Sequence, residues 1–188
     1  SRHFDGEKWG AEVGSVKSVP FGDVEALEAA ITANTAAFLV EPIQVCGGMA
    51  IPRADYLKRV RAICDHHNVL LFVNEIQTGL GRTGAMFAFE HAGVRPDCMV
   101  LGSALGGGVF PVSAFLSNRE VMDGMDHRVH HSTFAGNPLG AAVGLAAIQV
   151  IENEKLAERS QVLGDRLIHG LREMESAHVA EVRGMGLL

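Results

Sequence analysis

Three polar residues stand where three apolar runs end. Glu41 follows Ala36-Ala37-Phe38-Leu39-Val40, Asn74 follows Val69-Leu70-Leu71-Phe72-Val73, and Ser103 follows Cys98-Met99-Val100-Leu101 after one glycine. A carboxylate, an amide and a hydroxyl gathered at one edge could hold a small polar molecule and move protons on it. A carboxylate can act as a general base; a hydroxyl is a weak one and cannot form an imine with an aldehyde. Taken singly, each of these residues could equally well cap the loop that follows its run. Taken together, the three favour a pocket. A second cluster, Asp126, His127, His130 and His131, could be imagined as a zinc site. Its spacing matches no metal-binding pattern and a solvated loop explains it, so no metal is expected.

These residues need elements to position them. Short apolar runs bounded by polar residues read as buried parallel strands. The runs at 36–40, 69–73 and 98–101 are the first three, and Pro111-Val112-Ser113-Ala114-Phe115-Leu116 reads as a fourth. Between them lie helical patterns. Asp23 is an acidic N-cap for residues up to Ile31, and Arg53 to His67 carries apolar residues at Tyr56, Leu57, Val60 and Ile63. His66 and His67 end that pattern, where positive charge suits the helix dipole. Ala85 to Ala92 reads as a further helix. Strands alternating with helices give an α/β fold with a mostly parallel sheet and flanking helices. Ligands of such sheets bind outside the carboxyl ends of the strands, where Glu41, Asn74 and Ser103 are placed.

Beyond this the pattern changes. Pro138 to Ile151 reads as an alanine-rich helix with proline in its first turn, and Lys155 to Ser176 as an amphipathic helix. Val179 to Val182 is expected as the next strand. The organisation read from the sequence is an N-terminal loop or arm over 1–20, an α/β part over 21–150, and a helix and strand over 151–188 that open a smaller domain.

Composition narrows the function classes. The chain of 188 residues has a net charge of −6, without the basic stripe of a nucleic-acid surface. No apolar run approaches the ~20 residues of a membrane span. Cys46, Cys64 and Cys98 are odd in number and lack metal-like spacing, which suits reduced thiols in the cytoplasm. Ser1-Arg2-His3-Phe4-Asp5 does not read as a signal peptide. Mean hydropathy is +0.16 with 47% apolar residues, which implies a large sheet core, surface that a partner chain covers, or both.

Four segments carry a family resemblance: Val40-Glu41-Pro42-Ile43-Gln44, Val73-Asn74-Glu75-Ile76-Gln77-Thr78-Gly79, Leu101-Gly102-Ser103-Ala104-Leu105-Gly106-Gly107-Gly108, and Ser132-Thr133-Phe134-Ala135-Gly136-Asn137-Pro138. In this order, within a stretch from about Gly14 to Leu188, they resemble the class III (ω-amino acid type) aminotransferases. These are fold-type-I enzymes that carry pyridoxal 5′-phosphate (PLP). The resemblance implies the carboxyl-side part of the large domain. The turn that holds the PLP phosphate would lie in an N-terminal half, and Gly184-Met185-Gly186-Leu187-Leu188 would be the first strand of the C-terminal domain, cut short.

The resemblance also assigns positions. Ser103 stands at the Schiff-base lysine and Asn74 at the aspartate that pairs with the pyridine nitrogen. Cys46 stands where the ω-amino-acid members carry a glutamate that pairs with an arginine gating substrate carboxylates, and a cysteine filling a tight loop is the simpler reading of Cys46 itself. Gln77 would approach the PLP ring hydroxyl. Thr133, beside Ser132, would reach across a dimer interface to a neighbour's phosphate. The glycines of Gly79 to Gly84 and Gly106 to Gly108 are accounted for more readily by folding than by binding.

With Ser103 and Asn74 changed, the chain is not expected to transaminate alone, and PLP is expected to be held non-covalently or not at all. The preferred expectation is a repurposed, PLP-independent protein or enzyme for a small metabolite. It would use Glu41, Ser103, Gln77 and a histidine of the 127–131 loop for acid–base chemistry such as cyclisation or condensation. The alternatives are a non-catalytic subunit or scaffold completing a split aminotransferase, and a fragment or mutant of a conventional PLP-dependent transaminase. A homodimer is expected, with a complementary aminotransferase-like chain as a further partner.

Overall fold

A computed structural model describes residues 16–124, 132–174 and 176–188. The sequence-predicted histidine cluster and most of the N-terminal arm lie outside these residues. The sheet has four strands in chain order: β1 (Ala37–Val40), β2 (Leu70–Asn74), β3 (Cys98–Leu101) and β4 (Ala114–Ser117). β1, β2 and β3 run parallel, with Val40 opposite Val73 and Asn74 opposite Val100.

Helix α1 (Val24–Ala30) starts where Asp23 accepts a hydrogen bond from the Ala26 amide at 2.8 Å. Helix α2 (Tyr56–His66) buries Tyr56, Leu57, Val60 and Cys64. These side chains meet Val24 and Leu27 of α1, Val40 of β1, and Leu71 and Val73 of β2 in one core. The twofold alternation of β2 therefore turns Leu71 and Val73 toward the helices, while Leu70, Phe72 and Asn74 share the other, half-buried face. On that face the Phe72 ring meets Phe115 of β4 at 5.7 Å between centroids.

The lower end of the sheet is held by charge. Asp97, just before β3, accepts from the Leu71 amide and from the Arg61 guanidinium, both at 2.7 Å. Arg61 also pairs with Asp65 one helical turn on.

Three expectations are corrected. The predicted helix over 85–92 is a short 3-10 turn, Ala88–Ala92, because an extended Phe87 precedes it and Gly93 in the left-handed region ends it. The fourth strand begins at Ala114 and is antiparallel to β3, Leu101 opposite Ala114. Residues 102–113 hold glycine turns but no crossover helix, so the chain doubles back instead of returning to the start of the sheet. No strand forms at Val179–Val182, because no neighbouring strand offers a ladder there.

After β4 come a short helix α3 (Arg119–Asp123), then α4 (Pro138–Asn153) and α5 (Leu156–Glu173). Asn137 caps α4 by accepting from the Leu139 amide at 2.9 Å, with Pro138 in the first turn. α4 runs continuously through residues 150 and 151. Its Gly144 faces Leu105 and its Gly140 faces Phe110, so α4 supports the turn that follows β3.

Candidate functional site

The carboxyl ends of β1, β2 and β3 carry Glu41, Asn74 and Ser103, as the sequence predicts. Each is positioned differently. At the end of β2 the chain makes a tight turn in which the Glu75 carbonyl accepts from the Gly79 amide at 2.9 Å. A Cβ at Gly79 would stand 2.8 Å from that carbonyl oxygen, so the turn needs glycine there.

Glu75 secures this turn from below. It is 1% exposed, and its carboxylate accepts from the Thr78 hydroxyl and from the Phe89 amide at 3.0 Å. Burial raises its pKa above the ordinary 4.5, partly opposed by these hydrogen bonds. As strand alternation predicts, it points away from the face that bears Asn74. Above it the Asn74 Oδ1 accepts from the Ile76 amide at 3.0 Å, and Ile76 and Gln77 are exposed.

Ser103 opens a 3-10 turn, Ser103–Gly106, and is exposed. The residue before it is fixed by its neighbour: a Cβ on Gly102 would stand 2.5 Å from Ile76 Cγ2. Ile76 thus lies against the backbone beside Ser103, and β2 and β3 form one continuous edge. Sequence reasoning missed Ile76 and Glu75 as shaping residues. The signal available was the glycine preceding Ser103, which marks close approach of another group.

Glu41 is half-buried and leads through buried Pro42 and Ile43 into a loop closed by paired Gln44–Ala50 hydrogen bonds, both 3.0 Å. Cys46 is exposed in that loop. Ser132 and Thr133 are exposed on the turn leading into α4, where the Ser132 carbonyl accepts from the Ala135 amide. Among the described residues no hydrogen bond joins Glu41, Asn74, Gln77, Ser103, Ser132 or Thr133 to one another. The first four stand at or just after the ends of three neighbouring strands, and Ser132 and Thr133 lie on the turn that leads into α4.

Two clefts lie elsewhere. One of about 120 Å³ is lined by Pro42, Ile43, Ile51, Leu57 and Met185 among others. One of about 780 Å³ includes Arg61, Arg95, Asp97 and Ser117 at the opposite, amino end of β3. Neither includes Asn74, Gln77, Ser103 or Thr133. Among the described residues no group of three or more His, Cys, Asp or Glu is placed to hold a metal ion, and no helix is long and apolar enough to cross a membrane.

The sequence pattern of the class III aminotransferases (Aminotransferase class-III) matches residues 7–188. The chain belongs to the class III aminotransferase family. It is 53% identical over 169 residues to an ornithine aminotransferase of Bacillus cereus (strain Q1), covering 90% of this chain and 43% of that protein. The crystal structure of the ornithine aminotransferase from Toxoplasma gondii ME49 superposes with a TM-score of 0.91 at 44% identity, over 96% of this chain and 44% of that one. The acetylornithine aminotransferase from Elizabethkingia anophelis gives a TM-score of 0.87 at 44% identity, over 90% and 44%. The chain thus spans less than half the length of the curated relatives it matches. The fold is that of the fold-type-I PLP aminotransferases.

Class III aminotransferases use PLP, so the donor set at this edge can be tested against it. Ser103 offers a hydroxyl, which forms no imine with an aldehyde. The Asn74 Oδ1 accepts from the Ile76 amide and keeps a second lone pair, but the amide is neutral. A neutral amide can accept a hydrogen bond from a pyridinium but cannot supply its counter-charge. The four lysines of the chain are Lys8, Lys17, Lys58 and Lys155. Of the three that the structure describes, Lys17 precedes α1, Lys58 lies on α2 and Lys155 precedes α5, none at a strand's carboxyl end. The residues present do not fit covalently bound, ring-protonated PLP.

Proposed function

We propose that this chain is a non-transaminating part of the large domain of an ornithine-aminotransferase-type protein, and that its carboxyl edge becomes a site only against another polypeptide. That polypeptide is a second copy of the chain or one carrying the amino-terminal side of the fold. The observation that carries the reading is the Asn74–Ile76 hydrogen bond beside a serine at position 103. Ser103 leaves the edge unable to bond a ligand through an imine, and the neutral Asn74 amide leaves it able to orient one by hydrogen bonds. The exposure of Gln77, Ser103 and Thr133 supports the need for a covering chain.

A second reading keeps the same edge as a PLP-independent site for a small metabolite, with Glu41 as base and Ser103 and Gln77 as hydrogen-bonding groups. It is favoured by the free donors that Asn74 and Gln77 present there. The test is an amino-transfer assay with ornithine and a 2-oxo acid, with PLP added, on the purified chain and on its mixture with the amino-terminal half of a class III relative. The proposal expects no transfer from the chain alone and association with the added half by sedimentation. Transfer by the chain alone would refute it.

A further inference from the structure

The last residues of the chain reach back to the loop beside Glu41. Arg183 donates from Nε and Nη2 to the Gly48 carbonyl at 3.2 and 2.8 Å, while its Nη1 pairs with Glu181. The loop is otherwise closed on itself. Gln44 and Ala50 pair across its base, and the Gly48 and Met49 amides both donate to the Val45 carbonyl. Gly48 and Met49 are both in the left-handed region, with φ of 88° and 54°. Among the described residues, Arg183 supplies the only hydrogen bond from this loop to a residue outside it.

The far end of this contact is firmly seated. The Leu187 amide donates to the Arg82 carbonyl at 3.0 Å and to the Ser160 hydroxyl at 3.1 Å. Gly186 has φ of 58°, and a Cβ there would stand 2.6 Å from the Arg82 carbonyl oxygen. A Cβ on Gly164 of α5 would stand 1.9 Å from the Gly186 carbonyl oxygen. Met185 lines the small cleft with Pro42, Ile43 and Ile51, so the same segment shares that cleft with both flanks of the loop.

We infer that Arg183 is a positioning residue that latches the 44–50 loop to the α5 side of the molecule and so fixes the chain that follows Glu41. This rests on the reading of the carboxyl edge as the site. An arginine suits the task because its planar fork places two donors on one carbonyl. A change in the α5 side then reaches the edge of the site through one guanidinium.

The test is amide hydrogen exchange on the purified chain, with Cys46 alkylation as a second readout. In Arg183→Gln, exchange within residues 44–50 should rise about tenfold, as expected when a charge-assisted bond is lost and the loop opens locally. Cys46 should alkylate faster, and the amides of α2 and β2 should stay unchanged. Arg183→Lys, with one point donor, should fall between. Unchanged exchange in 44–50 overturns the latch. If the buried Cys64 and Cys98 also become reactive, Arg183→Gln has unfolded the chain. Glu181→Gln then decides: a smaller, loop-confined rise supports the latch and no rise overturns it. None of these readouts involves PLP or Ser103, so the latch and the proposed function fail separately.

Discussion

Glu75 is the residue on which the edge of the site rests, and it is a carboxylate in an apolar place. Its raised pKa has a definite consequence for stability. Between 4.5 and the raised native value, the folded chain keeps a proton that the unfolded chain has released. Stability from this group is therefore complete below 4.5 and is lost as pH rises through the native value. Urea unfolding of the wild type and Glu75→Gln should show it. The wild type should lose ground to the variant as pH rises, by at most about 1.4 kcal/mol per pH unit for one proton. A difference independent of pH between 4.5 and 7 would contradict this. Strand alternation made the direction of Glu75 legible in the sequence. Its partners were not legible, because Phe89 comes from a separate turn that only tertiary packing brings near.

At the scale of elements, α5 depends on glycine where it meets the C-terminal segment and not elsewhere. Gly164→Ala would drive a Cβ into a backbone carbonyl that cannot rotate away. It should cost at least ~1–3 kcal/mol and speed proteolysis near Gly184 to Leu188. Gly170→Ala in the same helix meets nothing within 4 Å and should stabilise by up to about 1 kcal/mol. Equal effects from both, measured by denaturation, would show that the Gly164–Gly186 approach is not what holds the segment. The helices were legible because their signals are local: Asp23 caps one, Pro138 starts another, and apolar spacing marks α2. What depends on a neighbour was not. The antiparallel turn of β4 is decided by the absence of a crossover helix, and Val179–Val182 finds no strand to pair with, whatever its pattern.

At the scale of the whole molecule, apolar surface lies at both ends of the sheet and along two helices, with Leu139, Leu145 and Val150 exposed on α4. Leu39 on β1 and Phe115 and Leu116 on β4 are exposed, as are Leu163, Leu167 and Leu171 on α5. The high mean hydropathy made such surface legible, but not which elements carry it. The proposed covering chain would bury it. The identity of the fold was legible in four motifs, and the proposal that the chain does not transaminate rests on the side-chain types of two residues, Ser103 and Asn74. The structure adds that the Asn74 amide is already turned by Ile76, which the sequence could not show.

The central claim is that this edge holds no covalently bound PLP. Titration of the purified chain with PLP, followed by absorbance, borohydride reduction and intact mass, tests it most directly. The account predicts no visible imine absorbance and no added mass after reduction. A stoichiometric reduced pyridoxyl adduct, mapped to Lys8, Lys17, Lys58 or Lys155, would contradict it.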